Sequence, residues 1–451
     1  MSDPYTTREA ATRPPPATWA ARCRQLGPSV VISGSIVGSG ELILTSSLGA
    51  AAGFALLWWM LLCCWSKSIV QAELARYVVV SGDTYLRAMN RIPGRFPGPR
   101  NSVSWTLWFN LLSFIPGMIG MGGILGGAGQ ALSLLLPAVD SRWMTLLSAV
   151  AASAILYTGS YRRLERTMLA LVAGFTLATV IAAFAMQLTE FHLTRSDLAA
   201  GFRFDFPAEH LLLALAVYGA TGVNSAEIST YTYWCVEKGY PSFIGGQHDD
   251  PSWPARARGW IRLLQLDVWV TLAILTCATV PFYLLGAGVL RASGQQPQGL
   301  ETVQVLSAMF TQTLGGWSLW LFGGAAFCIL FSSVVGGFGG ISRFAPDYLV
   351  EFGYLDRARL PERVLWTRGC GGVLPIASAM LYLASPSPVT LLTLGALMAA
   401  LLLPVQSGAT LWLQRRRMDA RMRPSAAVHA FLWLTFLFQV LMGAIVIWSF
   451  T

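Results

Sequence analysis

The stretch Gly27 to Gly53, GPSVVISGSIVGSGELILTSSLGAAAG, is apolar over a length that can span a bilayer, but Gly38-Ser39-Gly40-Glu41 interrupts its middle. A membrane-spanning helix needs about 20 apolar residues, and glycine weakens a helix interior. The alternative is an unbroken helix with a glycine packing face, but an acid directly after the glycines favours an interruption. We therefore interpret residues 38–41 as a break in a helix at mid-membrane, called the first break below.

The composition of the chain excludes an ordinary soluble globule, since 54% of its 451 residues are hydrophobic and only 12% are charged. We predict an all-α polytopic membrane protein. Its net charge of +9 comes from basic residues clustered between apolar runs, where the positive-inside rule places them. We therefore expect the lipid bilayer and no nucleic acid as a partner. The seven cysteines and four histidines show no metal-ligand spacing, so we expect no cofactor and no metal site made by them.

The basic loops set the topology. Residues 1–26 are rich in arginine and proline and lack a signal-peptide core, which predicts a mobile cytosolic tail. Eleven predicted spans then place every strongly basic loop in the cytosol and the C-terminus outside. This distribution predicts an integral protein of a bacterial-type inner membrane.

A second interruption lies in the sixth predicted span, at Tyr218-Gly-Ala-Thr-Gly-Val-Asn-Ser-Ala-Glu227. Interruptions five spans apart are typical of two five-helix repeats inserted with opposite topology. We predict repeats over residues 27–190 and 207–413, with an additional span over 427–451. Secondary transporters form their substrate sites between two such broken helices.

Several segments resemble the Nramp metal-ion transporters over roughly residues 27–450. They are Gly27-Pro28, the Gly49–Leu57 segment, Gln71, Ala75-Arg76, Gly219-Ala220-Thr221 and Leu403-Pro404. The resemblance implies the LeuT-type fold, with about eleven transmembrane helices, broken helices 1 and 6, and alternating access.

This chain lacks the ligand residues of the metal site that the resemblance implies. The family's DPGN segment reads Gly38-Ser39-Gly40-Glu41 here, so its Asp is replaced by Gly38 and its Asn by Glu41. The family's methionine ligand falls on Val223 and its proton-linked histidine on Ser225. Thioether sulfur favours soft transition metals, so its loss together with a carboxylate disfavours Mn²⁺.

Two more positions depart from the family. Acids of its third span fall at Gly120 and Gly123, and a glutamine of its tenth span falls near Leu402, with Gln406 one turn on. The glycines of the third span are interpreted as a close-packing face.

The segment Ile36-Val-Gly-Ser-Gly40 also resembles the glycine-rich break of amino acid permeases in the amino acid, polyamine and organocation superfamily. That resemblance implies that N–H groups of the first break bind a substrate carboxylate, while carbonyls at the end of the first half of span six face its amine. We expect Gly38 and Gly40 to leave helical geometry and the N–H groups of Ser39 to Glu41 to face a central cavity.

Four ionisable residues are predicted inside spans: Glu41, Lys67, Glu227 and Asp267. Glu41 and Glu227 each follow an interruption, and we interpret them as substrate or ion contacts. Lys67 is either a structural ion-pair partner of a glutamate or part of ion coupling, and Asp267 can reach the cytosolic surface.

Two hydroxyl residues suggest a coupling ion. Ser332 and Ser333 resemble in placement the hydroxyl pair of a sodium site in sodium-coupled LeuT-type transporters. The candidate ion-coupling residues are therefore Glu41, Glu227, Lys67, Ser332 and Ser333.

Two hypotheses for function remain. The first is a proton- or sodium-coupled secondary transporter of a small amino acid or similar zwitterion. The second is a divalent-cation transporter of altered selectivity, which uses Glu41 and carbonyls for a hard ion such as Mg²⁺, or for Mn²⁺. A divalent metal needs two or more anionic ligands and each interruption supplies one glutamate, which favours the zwitterion. The candidate substrate-binding residues are Gly38, Ser39, Gly40, Glu41, Tyr218, Gly219, Val223, Asn224 and Glu227.

An enzymatic function is not expected. No nucleophile, base and orienting group occur together, and the chain has no nucleotide-binding loop. We expect a small-molecule substrate and a coupled ion as partners, with no obligate protein partner.

Overall fold

The computed structural model describes residues 12–26, 38, 40–159, 161–246 and 250–450, and their side chains except those of residues 161–172. These residues are mostly helical. The helices of the first half are α1 Trp19–Gln25, α2 Ser46–Ala52, α3 Leu57–Trp65, α4 Ser68–Ser81, α5 Tyr85–Asn90, α6 Trp105–Leu112, α7 Phe114–Leu135, α8 Ser141–Thr158, α9 Tyr161–Ala185 and α10 Arg195–Ala200. Those of the second half are α11 Leu211–Ala220, α12 Ser225–Glu237, α13 Tyr240–Ile244, α14 Trp253–Leu285, α15 Thr302–Leu314, α16 Ser318–Ile341, α17 Phe344–Glu351, α18 Leu360–Ala384, α19 Pro388–Arg416 and α20 Ala426–Trp448.

The remaining regular elements are short. A two-stranded antiparallel hairpin joins β1 Arg95–Phe96 to β2 Val103–Ser104. π-Helical turns occupy Gly40–Thr45 and Gly286–Leu290, and 3₁₀ turns connect several of the longer helices.

The protein is an integral membrane protein. Eight helical segments among the described residues are long and apolar enough to cross a membrane, by length and composition. They include Gly40–Ser81, which holds the end of the first predicted span and all of the second. The count of eleven spans is consistent with these segments and, with the boundaries of the two repeats, stays a prediction.

The helices that carry the candidate site meet in the middle of the fold. The π-helical turn Gly40–Thr45 packs against α11, α14 and α19, while α12 packs against α4, α16 and α19. The residues of this turn are all buried. The site therefore lies inside the protein, where backbone groups at helix ends need partners from the protein itself.

The glycines of α7 let neighbouring helices approach closely, as predicted. A Cβ at Gly120 would lie 3.2 Å from the Cα of Gly395, and one at Gly122 would lie 2.6 Å from the carbonyl oxygen of Ser378. A Cβ at Gly123 would be 2.8 Å from the carbonyl oxygen of Pro388. At two positions where the family's third span carries acids, this chain therefore has backbone contacts with α19.

The N-terminal segment packs on the protein, so the expected mobile tail is wrong for residues 12–26. The N–H of Arg13 donates to Phe243 (3.0 Å), and the indole N–H of Trp260 donates to the carbonyl of Arg13 (3.0 Å). After α1, the carbonyl of Gln25 accepts from Lys238 and Tyr240. These bonds fix the chain directly before it enters the first span.

We expect Gly122→Ala to lower the thermal unfolding midpoint of the purified protein, because its methyl group would overlap backbone atoms of α18 that cannot rotate away. Gly117→Ala on the same helix is the matched control, since a Cβ there meets nothing within 4 Å. The control should be neutral or slightly stabilising. Equal midpoints for the two variants would contradict the close-packing interpretation.

Candidate functional site

The first break holds a buried carboxylate. Glu41 is fully buried, and its Oε2 accepts from the backbone N–H of Gly38 at 3.3 Å. The carbonyl of Gly38 accepts from Leu42 at 2.8 Å, so helical bonding begins there. Gly38 thus occupies the capping position of the helix that follows, and Glu41, three residues on, reaches back to it as a capping-box acid does.

The second break comprises residues 221–224, between α11 and α12. Gly222 has a φ of +71°, which favours glycine, and its N–H donates to Oε1 of Glu41 at 3.2 Å. The two oxygens of Glu41 therefore satisfy one N–H group in each break. Glu41 joins two interruptions that are 181 residues apart in the chain.

The second break repeats the capping device of the first. Asn224 caps α12, and its N–H donates to Oε2 of Glu227 at 2.8 Å, while the N–H of Glu227 donates to Oδ1 of Asn224 at 3.0 Å. Glu227 therefore provides a hydrogen-bond acceptor for a backbone N–H at the start of its own helix. The matching positions of Glu41 and Glu227 arise from the same local geometry, an acid three residues after the cap.

The predicted geometry of the first break needs two corrections. Gly38 lies outside the helix, as expected, but Gly40 is the first residue of the π-helical turn, so the expectation that it leaves helical geometry is wrong. The helix has already restarted at Gly40 because Gly38 is capped by Glu41. Ser39 lies outside the described residues. The donors that meet a carboxylate here are Gly38 and Gly222, and that carboxylate is the protein's own.

Lys67 lies between α3 and α4 and is fully buried. Its Nζ donates to the carbonyls of Tyr218 and Thr221, at the C-terminal end of α11, where four helix carbonyls lack helical partners. The alternative of an ion pair with a glutamate is wrong for the described residues, because none of their carboxylates lies within 4.0 Å of Nζ. Lys67 instead places a compact donor at the negative end of a helix dipole.

Hydroxyl groups connect the same two helix ends. The Oγ1 atoms of Thr45 and Thr221 lie 3.0 Å apart, and that of Thr45 also lies 3.1 Å from the carbonyl oxygen of Gly40. Sequence reasoning missed Thr45 as a site residue. Its position one helical turn after Glu41 is the signal that places both on one face.

Other predicted site residues contribute packing or backbone atoms. The Tyr218 ring packs against Trp59 and Phe438, with ring centroids 5.9 and 5.5 Å apart, and its carbonyl accepts from Lys67. Gly219 lies against α19, where a Cβ would overlap the carbonyl of Ala396. Val223 is buried in the second break.

Of the two candidate sodium-site serines, one lies at the first break. A Cβ at Gly38 would overlap the hydroxyl of Ser333, whereas Ser332 donates to the carbonyl of Ile329 at 2.8 Å within its own helix. The first half of span one, which would supply carbonyl ligands, lies outside the described residues. The sodium site stays a prediction.

Gln406 is placed at the start of α12. Its Nε2 lies 2.8 Å from the carbonyl oxygen of Ser225 and from the hydroxyl of Ser229, and 3.0 Å from the hydroxyl of Tyr85, so its two hydrogens are shared among these three neighbours. Its Oε1 is buried without a hydrogen-bond partner among the described residues. An unpaired buried acceptor beside the second break is available to a solute donor.

The donor set at the breaks does not fit a divalent metal. Within the described part of the chain, no three His, Cys, Asp or Glu side chains lie together as metal ligands. Glu41 and Glu227 already accept backbone N–H groups, and Lys67 covers the carbonyls of α11. A divalent ion at the breaks would meet a lysine and two carboxylates that already accept backbone N–H groups.

We expect Glu227→Gln to preserve the unfolding midpoint, because the amide oxygen still accepts from the N–H of Asn224, as glutamine does in capping boxes. Glu227→Ala should lose about 1 kcal/mol, the scale of a lost helix cap. Glu209→Ala is the control, since the Glu209 side chain is 78% exposed. If the Gln and Ala variants lose equal stability, the charge of Glu227 matters and the capping role is wrong.

The described structure is similar to solved membrane transporters. With a manganese transporter of Eremococcus coleocola, solved with an aromatic bis-isothiourea compound, the TM-score is 0.67 at 16% identity, covering 97% of this chain and 90% of that chain. Mhp1, a nucleobase-cation-symport-1 family transporter solved with bromovinylhydantoin, gives 0.56 at 11% identity, covering 94% and 93%. MhsT in complex with L-phenylalanine gives 0.52 at 15% identity, covering 97% and 99%.

These similarities confirm the predicted LeuT-type fold. No curated protein matches the chain. The family model for natural resistance-associated macrophage protein-like sequences, Nramp, matches residues 29–449. The protein is a secondary transporter by fold and family, and the chain belongs to the Nramp family.

Proposed function

We propose that this Nramp-family transporter carries a small amino acid or a similar zwitterion. The observation that supports this proposal is that an acidic and a basic side chain are held at the two breaks by backbone groups of opposite polarity. The Glu41 carboxylate meets N–H groups of both breaks, and the Lys67 side chain meets carbonyls at the end of α11. A solute with both charges finds a group of opposite polarity at each pole.

The proposed binding mode is an exchange of carboxylates. Gly38 and Gly222 already hold a carboxylate, that of Glu41, at 3.3 and 3.2 Å, so their geometry suits the carboxylate of a solute. When the solute displaces Glu41, the freed side chain pairs with the solute ammonium. The unpaired Oε1 of Gln406 is a second acceptor for that group.

The exchange also suggests a route for coupling. A displaced Glu41 is either neutralised by the solute ammonium or takes up a proton, because an unpaired charge is costly in a site without water. We accordingly propose a proton as the coupled ion. The proposal includes transport without catalysis, a bacterial-type inner membrane, a cytosolic N-terminus and an external C-terminus.

The alternative is a divalent-cation transporter of altered selectivity. Family membership and the resemblance to a manganese transporter favour it. The fold alone does not decide, because a similar fold is seen in complex with L-phenylalanine in MhsT. The residues at the breaks favour the zwitterion, since Lys67 repels a cation and Val223 replaces the family's thioether.

Uptake into proteoliposomes separates the two functions. We expect concentrative, saturable uptake of at least one radiolabelled amino acid when the pH gradient is imposed, and no saturable uptake of Mn²⁺ or Mg²⁺. Empty liposomes and liposomes without a gradient are the controls. Micromolar Mn²⁺ uptake without any amino acid uptake would overturn the proposal.

Glu41→Gln tests the role of the carboxylate. In the proposed binding mode the displaced Glu41 pairs with the solute ammonium, and a neutral amide in its place leaves that ammonium without a charged partner. We expect solute binding to weaken by about 2 to 5 kcal/mol, the scale of a buried charged partner left unpaired. Calorimetry or thermal shift with the transported amino acid measures it.

Glu209→Gln, the same change at an exposed glutamate, is the matched control for Glu41→Gln and should bind normally. Normal binding and exchange by Glu41→Gln, with loss only of pH-driven accumulation, would assign Glu41 to the proton alone. Wild-type behaviour in every assay would remove Glu41 from the site.

A further inference from the structure

Lys67 is unusual within this chain. Only two of the 31 basic residues are lysines, Lys67 and Lys238, and the other 29 are arginines. Lys67 is also fully buried, and it differs from the buried arginines Arg76 and Arg363, each of which forms an ion pair with a carboxylate. A side-chain ammonium is a compact point charge with three rotatable donors, while a guanidinium is a broad planar fork. The use of lysine at this one buried position therefore needs a reason of shape and charge.

The surroundings of Nζ are those of a cation site. The carbonyls of Tyr218 and Thr221 point at it from the broken end of α11, and the ring of Tyr218 lies 5.1 Å from it. The hydroxyl of Thr221 is on the same residue as one of these carbonyls. In transporters with broken helices, half-helix C-terminal ends and unwound carbonyls coordinate the coupling cation. The hydrogen-bond acceptors of Nζ are oxygens, and oxygen donors suit a hard cation.

We propose that the ammonium of Lys67 is a tethered cation, which permanently occupies a monovalent-cation site formed by the carbonyls of Tyr218 and Thr221. The transporter then needs no inorganic cation at this place, and removal of the side chain leaves a site for Na⁺, K⁺ or methylammonium. The inference deepens the proposed function by assigning a role in the same site. The role assigned to Lys67 does not depend on which solute the protein carries.

The connection to Glu41 explains why such a cation would matter. Gly222, whose N–H binds Glu41, directly follows Thr221, whose carbonyl binds Lys67. The peptide at residues 221–222 therefore presents its carbonyl to the cation and its N–H to the anion. A cation on that carbonyl polarises the same peptide and strengthens its N–H as a donor. Lys67 is thus a positioning residue for the anion side of the site.

Thermal unfolding of Lys67→Ala, with no solute present, tests this inference. The unfolding midpoint is measured at constant ionic strength in chloride salts of N-methyl-D-glucamine, Na⁺, K⁺ and methylammonium. We expect the variant to be least stable in N-methyl-D-glucamine and to gain stability with rising concentration of at least one small cation. The wild-type midpoint should be the same in all four salts.

Two control variants make the result specific. Lys67→Met keeps an unbranched stem of similar volume without the charge, so it leaves no space for an ion and should show no cation dependence. Lys238→Ala removes the other lysine, which also donates to a carbonyl, that of Gln25, but at the N-terminal segment. This variant should likewise respond equally to all four salts.

The outcomes are distinct. A Lys67→Ala variant that is insensitive to every cation overturns the inference, and so does a wild-type protein that Na⁺ stabilises equally. If Lys67→Ala unfolds during purification in N-methyl-D-glucamine, purification is repeated with methylammonium or Na⁺ throughout. Recovery of folded protein only with a small cation supports the inference, and recovery with none overturns it. Because no solute is present, a failed uptake assay leaves this test unaffected.

Discussion

The bond between the Glu41 carboxylate and the N–H groups of Gly38 and Gly222 is the interaction on which the middle of this protein depends. The Gly40–Thr45 turn begins and α11 ends inside the protein, so the polar groups at these helix ends need partners from the protein itself. One carboxylate satisfies a donor in each break. It therefore links the first break to the second.

Lys67 complements Glu41, because it donates to carbonyl oxygens where Glu41 accepts from N–H groups. Helix ends carry partial charges of opposite sign, positive at the start of a helix and negative at its end. Glu41 meets the donors and Lys67 meets the acceptors, so each side chain lies where the helix field favours its charged form. With the Thr45–Thr221 contact, these bonds connect the Gly40–Thr45 turn, the end of α11 with the second break, and the residue between α3 and α4.

The sequence predicted the helices and their breaks better than it predicted the side-chain contacts at the site. Apolar length, basic loops and paired glycine interruptions predicted the helices, because burial and bilayer thickness act over whole segments. The partners of Glu41 and Lys67 depend on which way each side chain turns after a break, and that is set by residues from other helices. Glu227 shows where prediction from the sequence fails. Its position after the second break suggested a substrate contact, yet its carboxylate caps Asn224 because the acid lies three residues into α12.

Family membership constrains the backbone scaffold, whereas the local side chains constrain which solute the site can bind. The scaffold of two broken helices presents N–H groups and carbonyls to the centre whatever side chains surround them, and this backbone polarity is neutral overall. The side chains around the site decide which charge a bound solute has to supply. A site with carboxylates and a thioether lacks a cation, whereas this one already contains a carboxylate on its donors and an ammonium on its acceptors. In the proposed function, a solute enters this site by replacing a polar contact that is already present, so it brings a matching charge of its own. A molecule that carries both signs can match both the Glu41 side and the Lys67 side of the site.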